Sequence, residues 1–271
     1  MQGKFYIVAT PIGNLSDISF RAVEILKKAD YIACEDTRVT RVLADKYGIR
    51  AKLIDCHKFN EKERSEKILN LIEAGNTVAL VSDAGTPLIS DPGGVLLKEL
   101  YKHNISVTSV PGACAVTTFL SMVPRANEEY AFIGFIPRAK KHQVEILNKY
   151  KNSNCVFYES PNRLLETLNN IKEEFGEKTQ IAIGRELTKV YEEVKTGTVE
   201  EITDYYSKNP LKGEFVVMTF AQEPIPANDS ELLNKIKILK EQGFSQKDTT
   251  KIIASLYGEN KNKIYKLAMQ E

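Results

Sequence analysis

The chain has 271 residues, 42% of them hydrophobic and 27% charged, which is enough for two α/β domains with a small appendage. Its formal net charge of +1 argues against a globally basic coat for nucleic acid, so an anionic partner would have to meet a local basic patch. The 4 cysteines show no C-x-x-C spacing and only 3 histidines are present, so neither a metal site nor a disulfide framework is predicted.

The first residues form a short apolar run followed by a turn, which is typical of a first β-strand rather than of an export signal. No stretch approaches the roughly 20 apolar residues that a membrane-spanning helix needs. We therefore expect a cytoplasmic protein with no membrane partner.

Short apolar runs alternate with amphipathic stretches, and this alternation predicts a mostly parallel sheet with helices on both faces. The predicted strands of this first domain, residues 1–122, are residues 5–9, 31–34, 53–56, 77–81 and 106–110. The predicted helices are residues 17–28, 39–46, 61–73, 94–103 and 111–122. The inward-facing residues expected in the first of these helices are Phe20, Val23, Ile25 and Leu26.

A polar break at residues 124–129 marks the start of a second predicted α/β domain, residues 123–222. Its predicted strands are residues 131–135, 155–158 and 181–184. Its later part is predicted to be antiparallel, with strands at 190–196 and 214–220 flanking a helix. Its predicted helices are residues 140–149, 162–175 and 199–206.

The remaining residues, 223–271, are predicted to form a linker and a helical tail. Two prolines mark residues 222–228 as the linker, and a helix is expected from 230 to about 241. Gly243 would stop this helix, Ser245 would cap the next one, and Gly258 would end it. This spacing resembles a helix-turn-helix.

Three loops rich in glycine and proline each follow a predicted strand, at residues 9–15, 82–94 and 110–115. In a parallel sheet, ligands bind where such loops leave the carboxyl ends of the strands. Glycine allows a close approach of the backbone, and proline orders a loop before it binds. A tight turn with a helix cap would explain any one loop, but three at one edge predict a binding crevice.

A dinucleotide or other pyrophosphate ligand is disfavoured. Residues 10–14 are TPIGN where G-x-G-x-x-G would be expected, and Pro11 lacks the N–H that a phosphate cradle would use. The pattern G-x-x-x-x-G-K-[ST] does not occur either.

Six motifs follow one another along the chain: TPIGNLSDIS at 10–19, EDTR at 35–38, SDAGTPLISDPG at 82–93, VPGACA at 110–115, FYESPNRL at 157–164 and GRELTK at 184–189. In this order they resemble the ribosomal RNA small subunit methyltransferase I family of the tetrapyrrole methylase superfamily. The resemblance covers about residues 3–222, and the tail resembles a helical extension that some members carry.

The resemblance implies a fold of the tetrapyrrole methylase type (class III methyltransferase), in which two α/β domains hold S-adenosylmethionine in the cleft between them. It also implies a homodimer that methylates the ribose 2′-hydroxyl of a cytidine in 16S ribosomal RNA. The cofactor-binding residues that it implies in the first domain are Pro11, Ser82, Asp83, Ala84, Gly85, Thr86, Ile89, Ala113 and Cys114. Those in the second domain are Tyr158, Arg185, Glu186 and Leu187.

A ribose hydroxyl is a poor nucleophile, so a base that removes its proton during attack would help. The candidates are Glu35 and Asp36 in EDTR and His57, with Asp17 as a further carboxylate. Glu35 and Asp36 are equally explained as partners of Arg38 or as caps of the next helix. His57 is equally explained as an ordinary polar loop residue.

The partner that the resemblance implies, 16S ribosomal RNA or the small ribosomal subunit, requires local positive charge. The predicted RNA-binding residues are Arg38, Arg41, Arg138, Lys140, Lys141 and Arg163. Lys140 and Lys141 are equally explained as a solvated helix face. The helical tail would either hold RNA or only dock on the body.

Two rival hypotheses remain. A tetrapyrrole (precorrin-type) methyltransferase would share the cofactor crevice, although EDTR, the basic residues and the tail favour RNA as the substrate. A non-catalytic nucleic-acid-binding protein would use the terminal helices and would not bind S-adenosylmethionine.

Overall fold

The computed structural model describes residues 3–126, 128–222 and 229–269. It forms two compact units, residues 1–221 and 222–271. Among the described residues, no helix combines the length and apolar character needed to cross a membrane.

The first half of the larger unit is a five-stranded sheet in which every pair of neighbouring strands is parallel, in the order β3-β2-β4-β1-β5. Its strands are β1 (Lys4–Val8), β2 (Tyr31–Cys34), β3 (Lys52–Asp55), β4 (Thr77–Leu80) and β5 (Val107–Val110). Its helices are α1 (Phe20–Lys28), α2 (Thr37–Tyr47), α3 (Glu61–Glu73), α4 (Gly94–Lys102) and α5 (Ala115–Met122). The predicted parallel sheet is thus confirmed.

Helices cover both faces of this sheet, as the continuous apolar strands require. On one face, Leu26 of α1 and Leu43 of α2 pack against strand residues such as Val8. On the other face, Ile68 of α3 and Leu96 of α4 are fully buried. With both faces occupied, the loops at the carboxyl edge are left to form a site.

The second half is a mixed sheet in the order β6-β7-β10-β8-β9. Its strands are β6 (Tyr130–Phe135), β7 (Asn154–Glu159), β8 (Gln180–Arg185), β9 (Glu193–Thr198) and β10 (Phe215–Thr219). The pair β6–β7 is parallel and the other pairs are antiparallel, which confirms the predicted antiparallel arrangement of the later strands. Helices α6 (Lys140–Lys149), α7 (Leu164–Phe175) and α8 (Val199–Lys208) supply part of one core of this half.

Helix α5 joins the two halves. Its fully buried Phe119 packs with Val156, Val216 and Met218 of the second sheet. A Cβ on Gly184 would lie only 2.6 Å from the Phe119 ring, so this strand position must be glycine for α5 to lie against the sheet. The two halves therefore share a core along α5.

Several predicted boundaries are wrong, for local reasons. The first helix begins at Phe20 rather than at 17, because Ser19 caps it and Leu15–Asp17 form a separate 3₁₀ turn. Phe20 then stands in the first turn and is 98% exposed, so its predicted core position is also wrong.

Three further elements are displaced from their predicted ends. Helix α2 starts at Thr37 because Asp36 caps it, two residues before the predicted start at 39. Helix α5 starts at Ala115 rather than at 111, because residues 111–114 stay in the loop that follows β5. Strand β9 starts at Glu193 rather than at 190, because residues 188–192 form a turn.

The smaller unit contains α9 (Asp229–Glu241), α10 (Gln246–Tyr257) and α11 (Lys261–Ala268). Their shared core includes the fully buried Leu232, Ile236 and Ile264. Ser245 caps α10, and Gly258 ends it in the left-handed conformation at φ +64°, as the sequence predicts. The predicted linker, apart from residue 222, lies outside the described residues.

One buried carboxylate fixes the loop that precedes α4. Glu61 Oε1 accepts hydrogen bonds from the backbone N–H groups of Gly93, Val95 and Leu96, at 3.1, 2.6 and 3.2 Å. A helix N-terminus leaves such N–H groups without partners inside the helix and favours negative charge. Glu61 of α3 therefore caps α4 and holds the end of the SDPGG segment.

We expect Glu61→Ala to lower the free energy of unfolding by about 2 kcal/mol, because buried N–H groups would lose their acceptor. Urea unfolding followed by circular dichroism measures this change. Glu66→Ala, at an exposed position of the same helix, is the matched control and should change stability far less. Equal effects of the two substitutions would contradict the assigned role of Glu61.

Candidate active site

The three glycine- and proline-rich loops lie together at the carboxyl edge of the first sheet, as predicted. Thr10 and Gly85 exchange two backbone hydrogen bonds of 2.9 and 3.1 Å. The Thr10 hydroxyl donates to the carbonyl of Ser82 at 3.0 Å, and the Thr86 hydroxyl donates to the carbonyl of Ala113 at 3.0 Å. These bonds link the three loops into one wall.

A cavity of about 370 Å³ lies between this wall and the second sheet. That volume is within the range of small-molecule sites. Its lining residues from the first half are Ile12, Asp83, Ala84, Gly85, Thr86, Ile89, Ser90, Asp91, Cys114 and Ala115. Those from the second half are Phe135, Tyr158, Glu159, Ser160, Pro161, Leu187, Gly213, Glu214, Phe215 and Val216.

An irregularity in β6 places an aromatic side chain in this cavity. The register of β6 against β7 shifts between Phe132 and Phe135, and Gly134 has φ +70°, a conformation that favours glycine. Phe135 is 61% exposed although it lines the cavity, and its ring centroid lies 5.3 Å from that of Tyr158. The two rings form one apolar wall.

The cavity is acidic, since its lining includes four carboxylates and no lysine, arginine or histidine. Glu159 is paired with Arg163 at 3.2 Å, and Glu214 is paired with Lys189 at 2.9 Å. Asp83 and Asp91 form no ion pair within the described part of the chain. A cationic ligand would therefore meet two uncompensated carboxylates.

Burial raises the pKa of both carboxyl groups. The pKa of Asp91 rises from its usual 3.8 to about 6, mainly because of burial and then because of the nearby charge of Glu35. Burial is also the main cause of the raised pKa of Asp83, although Asp83 Oδ1 accepts a hydrogen bond of 3.0 Å from the Asp36 N–H. Tyr158 lines the same cavity, and its pKa is raised mainly by burial and then by the nearby charges of Cys114 and Asp91.

Most residues expected to contact the cofactor line this cavity: Asp83, Ala84, Gly85, Thr86, Ile89, Cys114, Tyr158 and Leu187. The expected contacts Pro11, Ser82, Ala113, Arg185 and Glu186 do not line it. Some of these support the walls: the Ser82 hydroxyl donates to the Gly85 carbonyl at 3.1 Å, and Glu186 accepts a hydrogen bond from the Glu214 N–H at 3.0 Å.

Sequence reasoning missed several lining residues. Asp91 and residues 159–161 belong to two of the six sequence motifs, so the sequence did contain a signal for their place in the cavity lining. No sequence motif pointed to Phe135, because only the bulge at Gly134 shows that its ring lines the cavity. Residues 213–216 lie far along the chain, at the start of β10.

None of the predicted bases lines the cavity. Asp36 caps α2 and binds the Arg38 guanidinium at 2.6 Å, which lowers the pKa of Asp36 to about 2. The pKa of Glu35 is raised, first by burial and then by the charge of Asp83. His57 Nδ1 accepts a hydrogen bond from the Phe59 N–H at 3.3 Å, and Asp17 lies exposed in the 3₁₀ turn.

The predicted RNA-binding cations fall into two groups. Arg41, Arg138 and Lys141 are exposed and form no ion pair among the described residues. The other three have protein partners: Arg38 binds Asp36, Lys140 binds Glu173, and Arg163 binds Glu159. Arg163 also donates to the carbonyls of Ile136 and Pro137, so its guanidinium is largely committed within the fold.

Comparison with known proteins first defines the class. Residues 4–203 match the family model described as Tetrapyrrole (Corrin/Porphyrin) Methylases. A cobalt precorrin-4 methyltransferase structure aligns with a TM-score of 0.63 at 18% identity, over 82% of this chain and 96% of that one. The uroporphyrin-III C-methyltransferase of Thermus thermophilus, whose structure holds S-adenosylhomocysteine, aligns with a TM-score of 0.58 at 16% identity, over 80% of this chain and 97% of that one. The fold is that of the tetrapyrrole methylases.

Sequence relatives then define the branch. The chain is 39% identical to ribosomal RNA small subunit methyltransferase I of Halalkalibacterium halodurans, with 100% of this chain and 96% of that protein aligned. It is 37% identical to the protein of the same name from Escherichia coli O157:H7, again over 100% and 96%. The chain therefore belongs to the ribosomal RNA small subunit methyltransferase I family.

The raised pKa of Asp91 predicts a pH-dependent stability. Because folding favours the protonated carboxyl, the native state carries no penalty well below pH 3.8; the penalty grows as the pH rises from 3.8 to about 6 and is complete above that. We expect Asp91→Asn to raise Tm at pH 7.5 by on the order of 2 °C and to leave it unchanged at pH 4. Differential scanning calorimetry measures both values.

Asp45→Asn, an exposed position on α2, is the matched control and should not alter Tm in this pH-dependent way. A constant difference between Asp91→Asn and the unsubstituted chain at both pH values would show that Asp91 does not titrate as stated.

Proposed function

We propose that the chain transfers a methyl group from S-adenosylmethionine to the 2′-hydroxyl of a cytidine ribose in 16S ribosomal RNA, either free or within the small ribosomal subunit. Relatives that share 35–44% of its sequence are named ribosomal RNA small subunit methyltransferase I, which supports the RNA substrate. The resemblance of the six sequence motifs supports cytidine and the 2′-hydroxyl. A cytoplasmic location and a homodimer belong to the same proposal.

The charge of the cavity carries the cofactor assignment. S-adenosylmethionine supplies a methyl group on a positively charged sulfur, and the cavity offers two carboxylates that form no ion pair among the described residues. A phosphate-bearing cofactor would be repelled by the same groups. The volume of about 370 Å³ and the apolar wall of Phe135, Tyr158 and Leu187 fit a ligand with one flat base.

Different lining residues contact different parts of the ligand in this proposal. Phe135, Tyr158 and Leu187 offer an apolar surface for the adenine base. Asp91 and Asp83 face the polar and cationic part of the ligand. The tight loop wall, in which Gly85 has φ +84°, brings the backbone close to the ligand without a side chain between them.

Proton removal is the chemical contribution that a side chain can make. As the hydroxyl oxygen bonds to the methyl carbon, the carbon–sulfur bond breaks toward sulfur and the hydroxyl proton must leave. Asp83 lines the cavity and its pKa is raised, so its carboxylate is a stronger base than that of Asp36, whose pKa Arg38 lowers to about 2. We therefore assign Asp83 as the acceptor of the ribose hydroxyl proton.

A corrin or porphyrin substrate is the second candidate, because the matching family model and the similar structures belong to tetrapyrrole enzymes. Those structures share only 13–21% identity with the chain and therefore support the fold alone. The relatives above 35% identity carry ribosomal RNA in their names, and this favours RNA.

The first prediction from this function concerns the product. Incubation with methyl-labelled S-adenosylmethionine and small ribosomal subunits should place label in 16S RNA at one cytidine. Because a 2′-O-methyl group blocks alkaline cleavage, mass spectrometry of the digest should show a resistant dinucleotide. Label on a tetrapyrrole and none on RNA would overturn the RNA assignment.

The second prediction concerns the aromatic wall. Phe135→Ala should weaken binding of S-adenosylmethionine about tenfold, since base stacking on an aromatic ring contributes about 1–3 kcal/mol. Isothermal titration calorimetry measures the affinity. Phe20→Ala is the matched control, because Phe20 is 98% exposed and does not line the cavity. An unchanged affinity in Phe135→Ala would remove this ring from the cofactor site.

A further inference from the structure

A second cavity, of about 240 Å³, opens beside the first on the α2 side of the loop wall. Its walls are mostly apolar: Pro11 and Leu15 come from the first loop, and Val39 and Val42 come from α2. Both valines are more than 40% exposed, so the cavity is open to solvent along the helix. None of the residues that the sequence assigned to RNA lines it.

Asp83 connects this cavity to the cofactor cavity, because it is the one residue that lines both among the described residues. A group that reaches Asp83 from the α2 side would therefore approach the cofactor cavity across a single carboxylate. The remaining polar lining is sparse. The Thr40 hydroxyl is buried, faces the weakly bonding thiol of Cys34, and makes no other hydrogen bond within the described residues.

Two arginines neighbour the lining valines along α2. Arg38 and Arg41 lie on α2 next to the two valines, and the Arg38 side chain is 89% exposed. Arg38 is paired with Asp36, whereas Arg41 forms no ion pair in the described chain. An apolar recess with arginines on the helix that lines it complements a nucleotide, whose base is flat and weakly polar and whose phosphates are anionic.

We propose that this second cavity receives one unpaired nucleoside of the RNA, the one that is methylated, with its base against the valines and its 2′-hydroxyl toward Asp83. The inference rests on the proposed function and names the place of its substrate. A recess of about 240 Å³ suits a single nucleoside and is too small to enclose a tetrapyrrole macrocycle. Arg41 then contacts a neighbouring phosphate.

A second copy of this chain is the competing occupant, because exposed valines are also suited to a protein interface. The cations beside them favour the nucleotide, since a twofold interface centred on these valines would bring Arg38 and Arg41 of one copy close to those of the other. Sedimentation velocity of the unsubstituted chain and of Val39→Trp separates the two cases, because only an interface through the valines would be disrupted by the substitution.

The first test places a larger side chain inside the second cavity. Val39→Trp should raise KM for small ribosomal subunits at least tenfold, because the indole would occupy the place of the base. Lys46→Trp, at an exposed position of α2 outside the cavity, is the matched control and should leave KM unchanged. Calorimetric affinity for S-adenosylmethionine should be the same in both variants and in the unsubstituted chain.

A second variant gives a readout that does not depend on activity. Arg41→Gln should reduce the slope of log affinity against log salt by about 0.7, measured by filter binding of 16S RNA to the chain loaded with S-adenosylhomocysteine. Each lost phosphate contact removes roughly this much from the slope of a single-stranded site.

Four results would overturn the inference: unchanged KM in Val39→Trp, an unchanged salt slope in Arg41→Gln, a parallel loss of cofactor affinity, or a change in oligomeric state caused by Val39→Trp. The last result would assign the recess to a second copy. Failure of the proposed function itself would look different, since the unsubstituted chain would then place no methyl group on RNA.

Discussion

The paired backbone hydrogen bonds between Thr10 and Gly85 are the constraint on which the site depends. Parallel strands place their loops at one edge, but they do not by themselves make those loops into a wall. The Thr10 pair, with the side-chain bonds to Ser82 and Ala113, fixes three loops from distant parts of the chain in one surface. The cavity exists because the second sheet faces this surface.

Electrostatics then decides which ligands suit the two recesses. In the larger cavity, Asp83 and Asp91 form no ion pair with any residue that the structure describes, while Lys189 and Arg163 neutralise the carboxylates on the opposite side. The smaller one has mostly apolar walls, and Arg38 and Arg41 stand next to two of its lining valines along α2. This separation of charge is consistent with a cationic donor and an anionic polymer that approach Asp83 from different sides.

The sequence predicts the order and type of the main elements well, because buried parallel strands and amphipathic helices have distinct periodicities. The loop motifs also locate most of the cavity lining. The sequence could not show which candidate side chains are held by partners within the fold. Asp36 is paired with Arg38, and Arg163 is paired with Glu159. The predicted burial of Phe20 is wrong because Ser19 caps the helix, so the helix begins at Phe20 and this apolar side chain points to solvent.

Helix α5 belongs to the first half by sequence but completes the core of the second. Residues 123–222 made alone would expose Val156, Ala182, Val216 and Met218 to water where α5 now covers them. The two halves should therefore lose structure in a single cooperative transition, despite the polar break in the chain between them. Neither half should be obtainable as a stable fragment, and gene truncation at residue 122 should give aggregated protein.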